Sequence, residues 1–458
     1  MKKRSRSQSP AAPHYPITPG PLKDPSTGSS LKASSEPLPS VKPYHTPPES
    51  FPIFRSGDVY IQSKLAKPSK NWQLQSDVLA RHSSWFARSL EQDQKQEDSN
   101  KNDQPTSYSY TIEDTGLVRQ QVKGDESLHK LLDNESVLGM KVELEETKDS
   151  TSTTKEPSTL TTTPASASPP KAPRDLIYNQ VFGAFYNIPP SIPINSISAA
   201  CTHSEQLVEL AHNLGCLHLI TSHISTALLS YRQILFTAIK DDPARWLLLS
   251  LKLQNDNIYT ESLIHLAGAH PCWPWPTPTK RTHLPDSTRR LIAKKSSELD
   301  QACLEAERSL LLLTIRIGRT SNSSPVQPED PSHFPTWFVV QSYRDILARE
   351  LHALESSKSA ALKRGTMFRK IWRGGSAYMD YEEMRRLMEQ IMPSAVENLS
   401  EDLALLKEFA GGIVDDLARN EAMVDVEACG VGWLTCVRVE RGSDIPWRNG
   451  GGGEKSEG

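Results

Sequence analysis

The side chains with the most chemical potential cluster in one stretch: His203, His212, Cys216, His218 and His223. His212 and Cys216 are four residues apart, so on a helix they share a face, the spacing a transition metal requires of two ligands. Helical spacing supplies only that pair, whereas a structural zinc needs four convergent donors. Packed or exposed histidines and a buried thiol are therefore the favoured reading, and no metal or other cofactor is expected. Two further segments invite binding rather than catalysis. Trp273-Pro274-Trp275-Pro276 is stiff and aromatic, suited to an aromatic groove or to sealing the edge of a helical core. Sealing is favoured, because each indole can bury up to ~250 Å2. Lys363–Arg373 interleaves basic and aromatic residues, a pattern open to an anionic membrane, nucleic acid or a calmodulin-like partner. The preferred expectation has Phe368, Ile371 and Trp372 packed inward and the charges solvated. Trp273, Trp275, Phe368 and Trp372 are the interaction candidates. The sequence contains no G-x-S-x-G, no P-loop and no G-x-G-x-x-G after a strand. Carboxylate pairs such as Asp415-Asp416 fit a solvated helix face. No enzyme is expected, and no catalytic residue is assigned.

The elements that would position these residues follow from composition and pattern. The chain has 458 residues, 37% of them hydrophobic, with 34 prolines and a net charge of −3. Near-neutrality gives no global field for nucleic acid. Six scattered cysteines without C-x-x-C point to reduced thiols in an intracellular protein, cytoplasmic or nuclear. The apolar run Leu310–Ile315 is far short of the ~20 residues of a membrane span, and no apolar stretch follows the basic start to make a secretory signal.

Residues 1–50 are rich in Ser, Pro and Lys/Arg and are expected to be a disordered arm. It carries Ser9-Pro10, Thr18-Pro19 and Thr46-Pro47 as candidate kinase sites and Lys2–Arg6 as a candidate nuclear address or simply a solvated basic terminus. Residues 51–235 form a first domain. Val59 and Ile61 alternate as a strand, Lys67-Pro68-Ser69 turns, and Trp72 and Leu74 make the hairpin partner. Ser76 or Asp77 caps a helix through Val78, Leu79, His82 and Phe86. A low-complexity insertion is expected at about 91–172, with a third strand at Met140–Leu144 or at Ser107–Ile112. Helices follow at Leu176–Phe185 and Leu207–Leu219, the latter bent near Gly215. Residues 236–320 are read as a helical extension, opened by the Asp242-Pro243 cap and containing a 4-3-4-3-4 apolar stripe from Leu299 to Ile317. Residues 321–447 should hold helices at Trp337–Leu354, Tyr381–Ile391, Leu399–Phe409 and Ile413–Val424, with a basic stretch at Lys358–Arg373 and a late strand at Trp433–Val439. The Gly-rich tail 448–458 is expected to be flexible. The fold class is α+β.

Several of these residues carry a family likeness. Asp58-Val59, Trp72-Leu74, Val78-Leu79 with Ser83-Ser84-Trp85-Phe86, and Phe185-Tyr186 resemble, in order and character, the BTB/POZ domain. Where that family has a histidine after the second strand, this chain has Gln75. Phe185–Pro190, Leu207–Ala211, Leu214–His218, Ile239–Pro243, Ile258–Glu261, Trp273–Pro276 and Leu434–Val437 are similar to a filamentous-fungal BTB-domain group with no agreed biochemical activity. The resemblance implies a small sheet covered by helices, then a BACK-like helical region. It implies Asp58, Val59, Trp72, Val78, Leu79, Trp85, Phe86, Phe185 and Tyr186 as core rather than site residues. It also implies a homo-oligomeric interaction scaffold or adaptor with protein partners, in some relatives recruiting substrates to a cullin-type ubiquitin ligase. The alternative is a nuclear transcription- or chromatin-associated regulator using the basic arm; without a DNA-binding motif, nucleic acid is a poor fit.

Overall fold

A computed structural model describes residues 51–65, 69–97, 107–113, 116–120, 173–276, 283–318 and 323–448. The arm 1–50 with its kinase and nuclear-address candidates, Lys67-Pro68, the Met140–Leu144 strand candidate, the Ser/Thr/Pro run 150–170 and the tail from 449 lie outside the described residues.

The molecule is α+β. Strands β1 (Val59–Ser63) and β2 (Asn71–Leu74) form the expected antiparallel hairpin, with Val59 opposite Leu74 and Ile61 opposite Trp72. Alternation sends Val59, Ile61, Trp72 and Leu74 inward, all essentially without solvent exposure. The capping helix is two helices, α1 (Ser76–His82) and α2 (Ser84–Glu97). They break at Ser83, whose hydroxyl donates to Leu214 O (2.6 Å) and accepts from Phe86 N (3.1 Å). Helix α2 continues past residue 91, where the insertion was expected to begin. Phe86 and Leu90 anchor its first turns, and the Glu, Gln and Lys that follow are good helix formers. The same segment also supplies β3 (Tyr108–Glu113) and β4 (Gly116–Gln120). The sheet order is β2-β1-β3-β4, with β1 and β3 parallel and both outer pairs antiparallel. The segment around Ser107–Ile112 is thus the strand that pairs with β1.

Helices α3 (Arg174–Phe185) and α4 (Ile197–Asn213) follow, then a 3-10 turn at Leu217–Leu219 and helix α5 (Thr221–Leu229). Gly215, at φ 66°, is where the chain leaves α4. Helices α6 (Gln233–Asp241), α7 (Pro243–Leu253) and α8 (Asp256–Ala269) come next. Asp242 caps α7 by accepting from Arg245 N (3.4 Å), and Asn255 caps α8 by accepting from Ile258 N (3.0 Å). The division expected at residue 235 falls inside α6, and Leu235 and Phe236 on either side are buried in the same core.

Helix α9 (Asp286–Leu311), at ~1.5 Å per residue the longest helix among the described residues, links two cores. Ile292 near its start belongs to the first, and Cys303, Ala306 and Leu310 belong to the second. The helix ends before Leu313 and Ile317, short of the expected stripe. Arg344 explains this, donating to Leu312 O (3.3 Å) and Leu313 O (2.9 Å), carbonyls that the end of the helix leaves open. A two-residue ribbon, β5 (Arg316–Ile317) with β6 (Ser324–Pro325), precedes α10 (Phe334–Glu355), α11 (Ala361–Arg373), α12 (Tyr381–Ile391) and α13 (Leu399–Ala418). Helix α13 runs through Gly411-Gly412, where two helices were expected. Glycine costs only about 1 kcal/mol in a helix interior, and Gly411 lets α13 approach the backbone of Trp372 on α11.

The chain then returns. Residues 419–448 form a strap that passes from the second core back to the first. Ala422, Val424, Val426, Val431, Trp433, Val437 and Ile445 all bury in the first core. Residues 433–439 carry no regular secondary structure and pair with no described strand. The late strand is replaced because side chains take its carbonyls, as set out below. No helix among the described residues is long and apolar enough to cross a membrane.

Candidate functional site

The family-like residues converge on one aromatic centre. The Phe86 ring packs edge-on against Tyr110 (5.6 Å between centroids) and Phe185 (6.4 Å), and Trp72 meets Phe182 at 5.4 Å. Leu79 is fully buried; Val78 is half-buried beside it. Half-buried Trp85 covers Phe86 at 4.9 Å. Tyr186 stacks on Phe54 at 4.5 Å. Polar pins join the layers: Trp72 Nε1 donates to Asn179 Oδ1 (3.1 Å), and Ser63 Oγ donates to Asp175 Oδ1 (2.5 Å). Asp58 accepts from Ser76 N (2.7 Å) and Ser76 Oγ (2.5 Å), so it caps the start of α1 from a distance. Gln75, in the position of the family histidine, donates its backbone N–H to the Tyr186 hydroxyl (3.0 Å) and its side chain to Ser56 Oγ (2.8 Å). Burial raises the Tyr186 phenol above its ordinary range, so it stays neutral. These groups build a core.

The histidine and cysteine cluster disperses. His203 is buried, contacts Gln180 Oε1 at 2.9 Å, and burial lowers its pKa. His212, His218 and His223 are exposed, while Cys216 faces the core. Among the described residues no three His, Cys, Asp or Glu side chains are placed to hold a metal ion. Burial pushes the Cys216 and Cys303 thiols up to about 12 and Cys436 up to about 11, so thiolate chemistry at neutral pH is suppressed.

The two tryptophans of the Trp-Pro-Trp-Pro segment pack edge-to-face at 5.2 Å. Trp275 is buried, donates Nε1 to Lys240 O (2.7 Å) and meets Trp433 of the strap at 5.7 Å. The segment closes the first core instead of offering a free ligand. Phe368 and Ile371 are fully buried as expected, but Trp372 is 53% exposed. It lies at the edge of the buried stripe, and its Nε1 donates outward to Asp415 Oδ1 (3.0 Å).

Sequence patterns missed the strap, where buried charge is concentrated. Glu261 accepts from Met423 N (2.7 Å) and Val424 N (3.2 Å). His265, one turn on, accepts at Nδ1 from Trp433 Nε1 (3.2 Å), which leaves Nε2 to carry the ring proton 3.3 Å from Glu261 Oε1. Arg369 donates to Trp433 O (3.3 Å), to Val431 O and to Glu427 Oε1 (3.0 Å). Lys295 donates to Arg438 O (3.1 Å) and pairs with Asp444 at 2.9 Å. Burial works against the Asp444 charge, but Lys295 and the Glu440 N–H outweigh it and hold the carboxyl below its usual range. Two glycines permit the close approach. A Cβ on Gly268 of α8 would lie 1.9 Å from Leu434 O, and one on Gly365 of α11 would lie 2.1 Å from Trp433 O. Helix glycines without an obvious turn role, together with the isolated Glu261 and His265 in an apolar helix, were the available signal.

Compared with known proteins, the chain matches no family model, no curated protein and no solved structure.

Proposed function

We propose that this chain is a protein–protein interaction scaffold, whose first core is a BTB/POZ-like module that self-associates. The observation that carries the reading is the order of elements around the aromatic centre. A hairpin, a broken helix pair and a strand returning parallel to β1 are followed by the helix ending in Phe185-Tyr186, as in the family resemblance. In this reading the helices after residue 243 recruit a second protein, and substrate delivery to a cullin-type ubiquitin ligase is one form of that role. Burial holds the Cys216 and Cys303 thiols and the Tyr343 phenol in their neutral forms, as fits packing groups of a scaffold. Multi-angle light scattering on the full chain at micromolar concentration should give a defined oligomer. A monomer throughout that range rejects self-association. Co-purification of a cullin through the first core would select the ligase form.

A further inference from the structure

Helix α11 carries five cations, Lys363, Arg364, Arg369, Lys370 and Arg373, and they divide by what they touch. Arg364 pairs with Asp300, and Arg369 and Arg373 both pair with Glu427. These three hold the helix against α9 and the strap. Lys363 and Lys370 are exposed and have no carboxylate partner among the described residues; Lys363 Nζ lies 3.5 Å from Ser357 Oγ. They are seven residues apart, two turns of helix, so they stand in line about 10 Å from each other.

Between them on the same line is Met367, and the three residues wall one side of a groove of about 440 Å3. Ala353 and Leu354 of α10, Leu362 and Thr366 of α11 and Tyr378 also line it. The lining is mostly apolar, and Glu350 stands on the α10 side. The groove therefore has a mostly apolar lining, two cations along α11 and a carboxylate on α10.

We infer that this groove docks an acidic amphipathic helix of a partner protein. Its two carboxylates, seven residues apart, would face Lys363 and Lys370, with an aliphatic side chain between them inserted beside Met367. Charge and spacing favour this occupant. A single phosphate cannot bridge two ammonium groups about 10 Å apart, whereas a helix repeats its own positions at the same rise. A flat anionic bilayer does not fill a groove between two helices, and a nucleic-acid backbone carries a phosphate at every step, some of which would meet Glu350, whereas a helix can keep its carboxylates on the Lys363–Lys370 side. Helix-in-groove recognition takes its affinity from the inserted apolar residue and its register from the rim charges. The inference goes beyond self-association of the first core and stands on separate residues.

The test uses the full chain and a fluorescein-labelled helical peptide with glutamates seven residues apart and leucines three and four residues after the first glutamate. Fluorescence anisotropy should show saturable binding. A scrambled peptide of the same composition should bind at least about tenfold more weakly. K363E/K370E should lose about tenfold in affinity, and a peptide with lysines in place of the glutamates should recover it. Both lysines are exposed, so the variant should keep the thermal midpoint and the oligomeric mass of the parent. Equal binding of the scrambled peptide, no loss in the double variant, or capture by anionic phospholipid vesicles with no peptide binding would each overturn the groove assignment. An unchanged light-scattering mass beside such a result would leave the scaffold reading standing. A monomer that still binds the peptide would do the reverse.

Discussion

The core around the sheet and the core of the C-terminal helices are built from different side chains. The first interlocks Trp72, Phe86, Tyr110, Phe182 and Phe185 edge-to-face and pins them with hydrogen bonds across more than a hundred residues of chain. The second is more aliphatic, with Val339, Leu347, Met384, Met388, Leu403, Leu406 and Val414 packed around fewer rings, Phe368 and the edge-on pair Tyr343–Tyr378. Aromatic rings with polar handles accept few arrangements, whereas Leu and Met adapt to many. The second core thus needs its position fixed from outside. The strap supplies that, because it leaves α13 of the second core and buries its own apolar residues in the first. It crosses α8 and α11 at Gly268 and Gly365 and carries a buried donor or acceptor at each crossing. In the scaffold proposed above, this would hold a partner bound by the helices at a fixed geometry relative to the first core.

The comparison can be broken most forcefully at a crossing. Gly268→Ala should destabilise the protein by about 3 kcal/mol, since the methyl group meets Leu434 O and the strap must shift. In an exposed helix the same change would stabilise by about 1 kcal/mol, so urea denaturation reads the sign as well as the size. Next comes Asp444→Asn, which leaves the buried Lys295 without its close carboxylate and with only the exposed Glu298 at 3.9 Å. It should cost about 2 kcal/mol at neutral pH. Because the folded carboxyl titrates below its ordinary value, its contribution is present above the unfolded pKa of ~3.9 and is lost as pH falls through the folded value. The gap between parent and variant should therefore be flat from neutral pH to mild acid and close in strong acid. The smallest effect is expected at the surface of the second core. Trp372→Ala should change stability by no more than about 0.5 kcal/mol, against about 4 kcal/mol for Phe368→Ala one turn earlier.

Local chemistry made much of the fold legible. Alternation gave the β1–β2 hairpin, the Asp242-Pro243 cap began α7, and the span Tyr381–Ile391 matches α12 residue for residue. The α+β class followed from these. The strand partner of β1 was left between two segments, because an alternating pentapeptide has the same pattern wherever it falls; pairing with β1 is a tertiary fact. Trp372 was misplaced because a 3.6-residue period defines a stripe but not which edge of it a neighbour covers. The strap was illegible for a different reason. It has no period, since its carbonyls are taken singly by Arg369, Lys295 and the Thr366 N–H rather than by a ladder. Of the four interaction candidates, Trp275 and Phe368 are buried structure and Trp273 packs on Trp275, while the groove beside α11 is defined by Lys363 and Lys370.

The claim that the strap fastens two unlike cores into one unit is tested most directly by native-state hydrogen exchange. Backbone amides of α3 in the first core and of α13 in the second should open with the same free energy and the same urea dependence in the full chain. Deleting residues 419–458 should separate them, with α13 opening first. Exchange of α13 at a markedly lower free energy than α3 in the intact protein would contradict the account.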